Sequence, residues 1–265
     1  MHHSNYLLYK RIFLNRWGRK GNIAMFHAAR CGSTVIGDLL SKNPELGWAK
    51  EIFNKNVYNY IKPDWSRDPI KKTILWHLYG KKCKYLGFET TIMPTQQFRP
   101  DIIGMTLEDY VRLLENTGIT HFIVLKRENH LRRCISAQLA RNKKMYHSRQ
   151  PVNKPTSLHL DTQHTRIGQG TMPLLELFKL TDERYELLHS LLKPYKTLRI
   201  TYEADIKESP KIAYARICDF LQVEKVPVET EYQRTNPFPL NQVIENYDEV
   251  AGLLKGTAYE WMLTD

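Results

Sequence analysis

The eight residues His27-Ala28-Ala29-Arg30-Cys31-Gly32-Ser33-Thr34 gather the groups best suited to holding an anion. The apolar run Ile23-Ala24-Met25-Phe26 precedes them, and the helix-like run Val35-Ile36-Gly37-Asp38-Leu39-Leu40 follows. Strand, tight loop and helix in that order aim backbone N–H groups and a helix N-terminus at a phosphate or sulfate. Gly32 lets the backbone approach closely because it lacks a Cβ. Ser33 and Thr34 add hydroxyl donors, and Arg30 adds a permanent charge on a planar fork of donors. The competing reading is an ordinary helix start.

The loop is not a Walker A loop. His27 stands where that pattern needs its first Gly, and Ser33 stands where it needs Lys. A second segment carries similar chemistry. His121-Phe122-Ile123-Val124-Leu125-Lys126 has the apolar, β-branched content of a buried strand and runs into Arg127-Glu128-Asn129-His130. A helix is expected from about Leu131 to Asn142, with Ser136 in its early turns. Ligands of open α/β sheets bind outside the carboxyl ends of strands, so Arg127 and Ser136 can reach one phosphate together. Arg127 taken by itself reads equally as a solvated surface charge.

These two segments resemble the phosphate-binding motifs of PAPS-dependent sulfotransferases (PAPS is 3′-phosphoadenosine-5′-phosphosulfate). The first is similar to the 5′-phosphate loop of the bacterial branch, where Arg-x-Gly-Ser-Thr replaces the Lys-containing loop of animal cytosolic enzymes. The second is similar to the 3′-phosphate motif Leu-x-Arg-x-Asn-x-Leu-Arg-x-x-x-Ser-x-x-x-Ala. Its matching positions here are Leu125, Arg127, Asn129, Leu131, Arg132, Ser136 and Ala140. The tail, with Arg234-Thr235-Asn236-Pro237-Phe238-Pro239-Leu240 and Asn246-Tyr247-Asp248-Glu249-Val250, is similar to the bacterial carboxyl-terminal signature. The resemblance runs from about residue 21 to 263. The Arg-Lys-Gly loop of the animal enzymes is missing, and Arg234 is the candidate substitute.

What the resemblance implies is a single P-loop-like α/β domain over residues 1–265, with PAPS as sulfuryl donor, no metal, and a hydroxyl or amine of a small molecule or carbohydrate as acceptor. Arg30, Cys31, Gly32, Ser33 and Thr34 would take the 5′-phosphate, and Arg127, Ser136 and Arg234 the 3′-phosphate. Sulfuryl transfer asks mainly for positioning and charge stabilisation, plus a base for the acceptor proton. Glu51, in Trp48-Ala49-Lys50-Glu51-Ile52-Phe53, resembles the Glu-x-Phe segment that carries the base in bacterial members. His27 and Glu89 are the other candidates. Glu89 stands where relatives often carry Lys, which would bias the acceptor toward a cation.

The elements that must position these residues follow from pattern. Strands are expected at 22–27, 84–89, 121–126 and 197–202. Helices are expected at 34–42, 107–116, 130–142, 173–192, 209–221 and 247–255. Alternation of strands and helices implies a mostly parallel sheet flanked by helices. Two polar stretches, 54–72 and 143–171, break the pattern and are expected to line or cover the acceptor pocket.

Composition limits the function classes. The chain has 265 residues, enough for one sizeable core, and 42% are hydrophobic, against wholesale disorder. Lys and Arg number 39 against 28 Asp and Glu, a formal charge of +11 that suits an anionic ligand. The four cysteines, at 31, 83, 134 and 218, form no CxxC pair, which argues against a zinc site and fits a reducing, cytoplasmic setting. Cys134 and Cys218 read as buried thiols, and Cys31 as a small loop residue before a nucleophile. No run approaches the roughly 18 apolar residues of a membrane span. A P-loop kinase would need the missing loop Lys. A non-catalytic nucleic-acid binder is the alternative that the +11 charge prompts; such a protein interleaves exposed aromatics with Lys and Arg, and Tyr58, Tyr60 and Trp65 hint at this weakly. The expected partner is therefore the small acceptor, with a homodimer as the other partner held open.

Overall fold

The computed structural model describes residues 18–53, 68–78, 82–93, 104–143, 148–167 and 170–264. Its centre is a five-stranded parallel sheet of β1 (Gly21–His27), β2 (Leu46–Glu51), β3 (Tyr85–Thr91), β4 (Ile119–Lys126) and a final strand, β7 (Lys196–Thr201), in the order β2-β3-β1-β4-β7. β1 and β3 are buried at every position, as a strand covered on both faces must be.

Helix α1 (Ser33–Lys42) follows β1, α2 (Asp68–Leu78) precedes β3, and α3 (Leu107–Asn116) precedes β4. After α4 (His130–Asn142) a short antiparallel hairpin, β5 (Thr165–Ile167) and β6 (Gly170–Met172), leads into α5 (Leu174–Leu191). Beyond β7 come α6 (Tyr202–Asp205), α7 (Pro210–Leu221), α8 (Leu240–Val243), α9 (Tyr247–Leu254) and a closing 3-10 turn, Glu260–Leu263. No described helix is long and apolar enough to cross a membrane.

The helices cover both faces of the sheet. On one face Phe26 stacks on Phe122 at 6.2 Å and meets Tyr110 of α3 edge-on at 6.1 Å. On the other, α1 buries Ile36, Leu39 and Leu40. α3 starts with a capping box: the Thr106 hydroxyl accepts from the Asp109 N–H at 3.1 Å, and the Asp109 carboxylate accepts from the Thr106 N–H.

The chain leaves β1 toward β2 and leaves β4 toward β7. Its connections therefore diverge between β1 and β4, the topology that opens a ligand crevice at the carboxyl ends of the strands.

The four expected strands and six expected helices are present, each displaced by two residues or fewer at its ends. Seven described elements were not expected: β2, α2, β5, β6, α6, α8 and the closing 3-10 turn. β2 forms an edge strand across Leu46–Glu51, and α2 begins inside the 54–72 stretch, of which 54–67 lie outside the described residues. Within 143–171, the hairpin and two isolated bridges, Ser148 to Gln233 and Leu158 to Ile244, tie the polar segment to the carboxyl-terminal part of the chain.

Candidate functional site

The loop between β1 and α1 turns through two left-handed residues, Arg30 at φ 70° and Gly32 at φ 92°. Gly32 needs its missing Cβ twice over: a methyl there would lie 3.2 Å from Ile206 and 3.3 Å from Tyr202. Gly32 is also the N-cap of α1. It supplies no side-chain cap, and the first turn carries no acidic residue, so the amide end of the helix stays receptive to negative charge. Arg30 is a non-glycine residue held in αL, a conformation that costs on the order of 1–3 kcal/mol and concentrates at working sites.

Buried groups hold this loop from beneath. The Tyr185 hydroxyl of α5 accepts from the Ala28 N–H at 2.9 Å and donates to the Leu125 carbonyl at 2.7 Å, linking the end of β1 to the end of β4. The Cys31 thiol donates to the Ala28 carbonyl at 2.6 Å. Cys31 is fully buried, and burial pushes its thiol up from the ordinary value, so it sits in the loop as a neutral packing group. Only its backbone remains to be offered to a ligand.

Above the loop the two sequence motifs meet. Arg30 Nε donates to Ser136 Oγ at 3.1 Å, joining residues that the family resemblance assigns to different phosphates. Around them a polar cleft is lined by Arg127, Arg132, Ser136, Tyr202, Arg234, Thr235 and Asn236. Arg127 lies over the Tyr202 ring, its guanidinium carbon 4.2 Å from the ring centre, and its Nε is buried without a hydrogen-bond partner. Arg132 donates to the Phe238 carbonyl at 2.6 Å, which draws the carboxyl-terminal segment over the cleft.

The turn after β4 is fixed by two side chains. The Asn129 side chain caps α4 by accepting from the Arg132 N–H at 2.8 Å. The Glu203 carboxylate accepts from the amides of Glu128 and Asn129 at 3.0 and 3.1 Å.

The three base candidates converge on the other side of β1. One carboxylate or imidazole atom each from His27, Glu51 and Glu89 lies within 4.8 Å of the other two. His27 Nε2 is 3.8 Å from Glu89 Oε2, and the residues are 1% and 2% exposed. Glu89 Oε1 accepts from Trp48 Nε1 at 2.9 Å.

Two glycines make that arrangement fit. A Cβ on Gly37 of α1 would lie 2.5 Å from Glu89 Oε1 and 2.7 Å from Trp48 Nε1, and one on Gly87 would collide with the Trp48 ring. A register shift completes the cluster. Ala49 pairs with Phe88, yet Glu51 pairs with Glu89, so the irregularity between them turns Glu51 onto the Glu89 side of the sheet. Plain alternation would have left Glu51 facing with Ala49, away from Trp48.

The site therefore has two poles. A basic cleft stands over β4 and β7, an acidic and imidazole cluster stands over β2, β3 and β1, and the amide-rich loop lies between them. Such an arrangement can hold an anionic group at the loop and accept a proton beside it.

Sequence reasoning named Arg30, Ser33, Thr34, Arg127, Ser136, Arg234 and the three base candidates. It missed Tyr185, Trp48 and Tyr202, and gave Arg132 no role. Arg132 was visible as a motif position; the others carry no local signal, because their partners lie far off in the chain.

No protein-family profile matches this chain, and no curated protein sequence does. Among solved structures, the chain is similar to a sulfotransferase from Alicyclobacillus acidocaldarius. The TM-score is 0.50 at 15% identity, covering 88% of this chain and 91% of that one. At that identity the likeness defines the fold: a single α/β domain with a P-loop-like parallel sheet. A deoxyadenosine kinase from M. mycoides with bound dATP also aligns, with a TM-score of 0.37 at 14% identity over 74% of this chain and 98% of that one, too distant to bear on the reading.

Proposed function

We propose that this chain is a PAPS-dependent sulfotransferase acting on a hydroxyl or amine of a small molecule or carbohydrate. The observation that carries the reading is the Arg30–Ser136 hydrogen bond. It joins the loop after β1 to α4, the helix that follows the Arg127 turn, which supports two neighbouring phosphate sites serving one nucleotide. The sulfotransferase fold likeness and the motif resemblance agree with it.

On this reading Arg127, Arg132 and Arg234 receive the 3′-phosphate, which would also satisfy the buried Arg127 Nε. Arg30, Ser33, Thr34 and the loop amides neutralise the 5′-phosphate as it leaves. The acceptor sits over β2 and β3. Its oxygen or nitrogen forms a bond to sulfur while the sulfur–oxygen bond to the 5′-phosphate breaks, and its proton passes to Glu51. His27 and Glu89 are the alternative bases within the same cluster. The polar segment 148–167 and its hairpin, laced to the carboxyl-terminal part of the chain, are the proposed acceptor-side wall.

Titration calorimetry with adenosine 3′,5′-bisphosphate tests the nucleotide half of the proposal. Loss of a charge-assisted contact worth about 1.5–3 kcal/mol should weaken binding roughly 10- to 150-fold in Arg127→Ala. Absence of binding by the folded wild type, or preference for ATP, would sink it.

A further inference from the structure

Glu89 is a carboxylate inside the protein whose described neighbours do not neutralise it well. One oxygen accepts the neutral Trp48 indole N–H. The ring facing the other is the His27 imidazole, at a separation beyond hydrogen-bond reach. Both ring nitrogens of His27 are buried without a hydrogen-bond partner. An orphaned imidazole and a half-satisfied carboxylate, side by side and nearly solvent-free, are costly unless something completes them. Glu51, brought over by the β2 register shift, adds a second carboxylate to the same point.

We propose that His27, Glu51 and Glu89 form a binding site for a divalent transition ion such as Zn²⁺ or Mn²⁺. The donor set is one imidazole and two carboxylates, three protein ligands that leave positions open for other groups. Zinc ligands at about 2.1 Å stand roughly 3.4 Å apart in a tetrahedral site. The three donors lie within 4.8 Å of one another, so closing on an ion takes about 1 Å of side-chain movement. Trp48 plays the outer role usual in metal sites: its N–H fixes one oxygen of Glu89 and leaves the other for the ion. Gly37 and Gly87 are the space that lets it do so.

The site departs from the metal-free expectation that the family resemblance carries. The open positions lie beside the anion loop, where a coordinated hydroxyl or amine of the acceptor would become more acidic; with the ion bound the three base candidates are ligands, and the acceptor proton would leave to solvent. This last step rests on the sulfotransferase reading; binding of the ion does not.

The test is calorimetry with ZnCl₂ and, separately, MnCl₂ on the full chain carrying serine at positions 2 and 3, so that His2 and His3 cannot contribute. The same titrations are run on Glu89→Gln, which keeps an acceptor for Trp48, and on His27→Gln. Melting curves establish that each is folded. Saturable one-site binding that weakens at least ~10-fold in both variants is the expected result. No saturable binding by the folded parent, or binding that both substitutions leave unchanged, overturns the inference. Adenosine 3′,5′-bisphosphate is titrated in parallel. Nucleotide binding without metal binding refutes the metal site and leaves the sulfotransferase reading standing; metal binding without nucleotide binding does the reverse.

Discussion

Removing one oxygen from Tyr185 should loosen the whole anion site. Tyr185→Phe keeps the ring, so the volume packed beneath the loop is unchanged and no cavity term enters. What disappears is a hydroxyl that accepts from the Ala28 N–H and donates to the Leu125 carbonyl, both in the buried interior. An amide left without a partner there costs about 1–3 kcal/mol, and the carbonyl adds about 1 kcal/mol. The sum is about 2–4 kcal/mol of folding stability, read as a lower urea midpoint at unchanged slope. On the proposed sulfotransferase reading, affinity for adenosine 3′,5′-bisphosphate should fall as well, because Ala28 begins the loop and Leu125 lies two residues before Arg127. Tyr195→Phe is the control. Its hydroxyl meets the exposed Glu115 carboxylate, and its loss should cost no more than ~0.5 kcal/mol. If Tyr185→Phe matches that control, the hydroxyl does not bridge the two strand ends, and the account of how the loop is held fails.

Three further outcomes are expected. Gly37→Ala should displace Trp48 from Glu89 and cost about 1–3 kcal/mol by overpacking, visible as a lower melting temperature; a neutral result would mean that α1 stands further from β3 than described. Burial pushes His121, His130 and His189 below the ordinary imidazole value, so the unfolded chain binds protons that the folded one resists. Stability conferred by these groups is present above about pH 6.5 and drains away as pH falls below it, so urea midpoints should drop from pH 7.5 to 5.5, and a midpoint that rises would refute the sign. Brief alkylation of the native protein should label Cys83 and spare Cys31, Cys134 and Cys218, all three buried with thiols pushed up by burial; peptide mass spectrometry reading strong labelling at Cys31 would contradict its place under the loop.

The strands and helices that announce themselves by local pattern were legible. His121–Lys126 reads as a strand because both its faces are covered, and Leu107–Asn116 as a helix because one stripe is apolar. β2 was not legible. It is an edge strand whose last residues reach solvent, so neither an apolar run nor clean alternation marks it. The hairpin strands are three residues each, too short to show a period.

At the site, residue types were visible and company was not. His27, Glu51 and Glu89 each stood out as base candidates on separate segments. Only the order β2-β3-β1, with the shift after Ala49, brings them together. Arg30 and Ser136 meet because β4 lies beside β1, a pairing that no spacing along the chain encodes.

The carboxyl-terminal segment bears on when the site comes into being. Arg132 is fastened to Phe238, and the Asn129 side chain donates to the Met262 carbonyl at 2.9 Å, so two of the ties on the Arg127 turn reach far downstream, beyond Glu203. A chain emerging from the ribosome displays both anion motifs long before either tie exists. The cleft would then take shape only after the chain through Met262 has been made and folded back onto the sheet, and shorter nascent chains would carry both motifs without it.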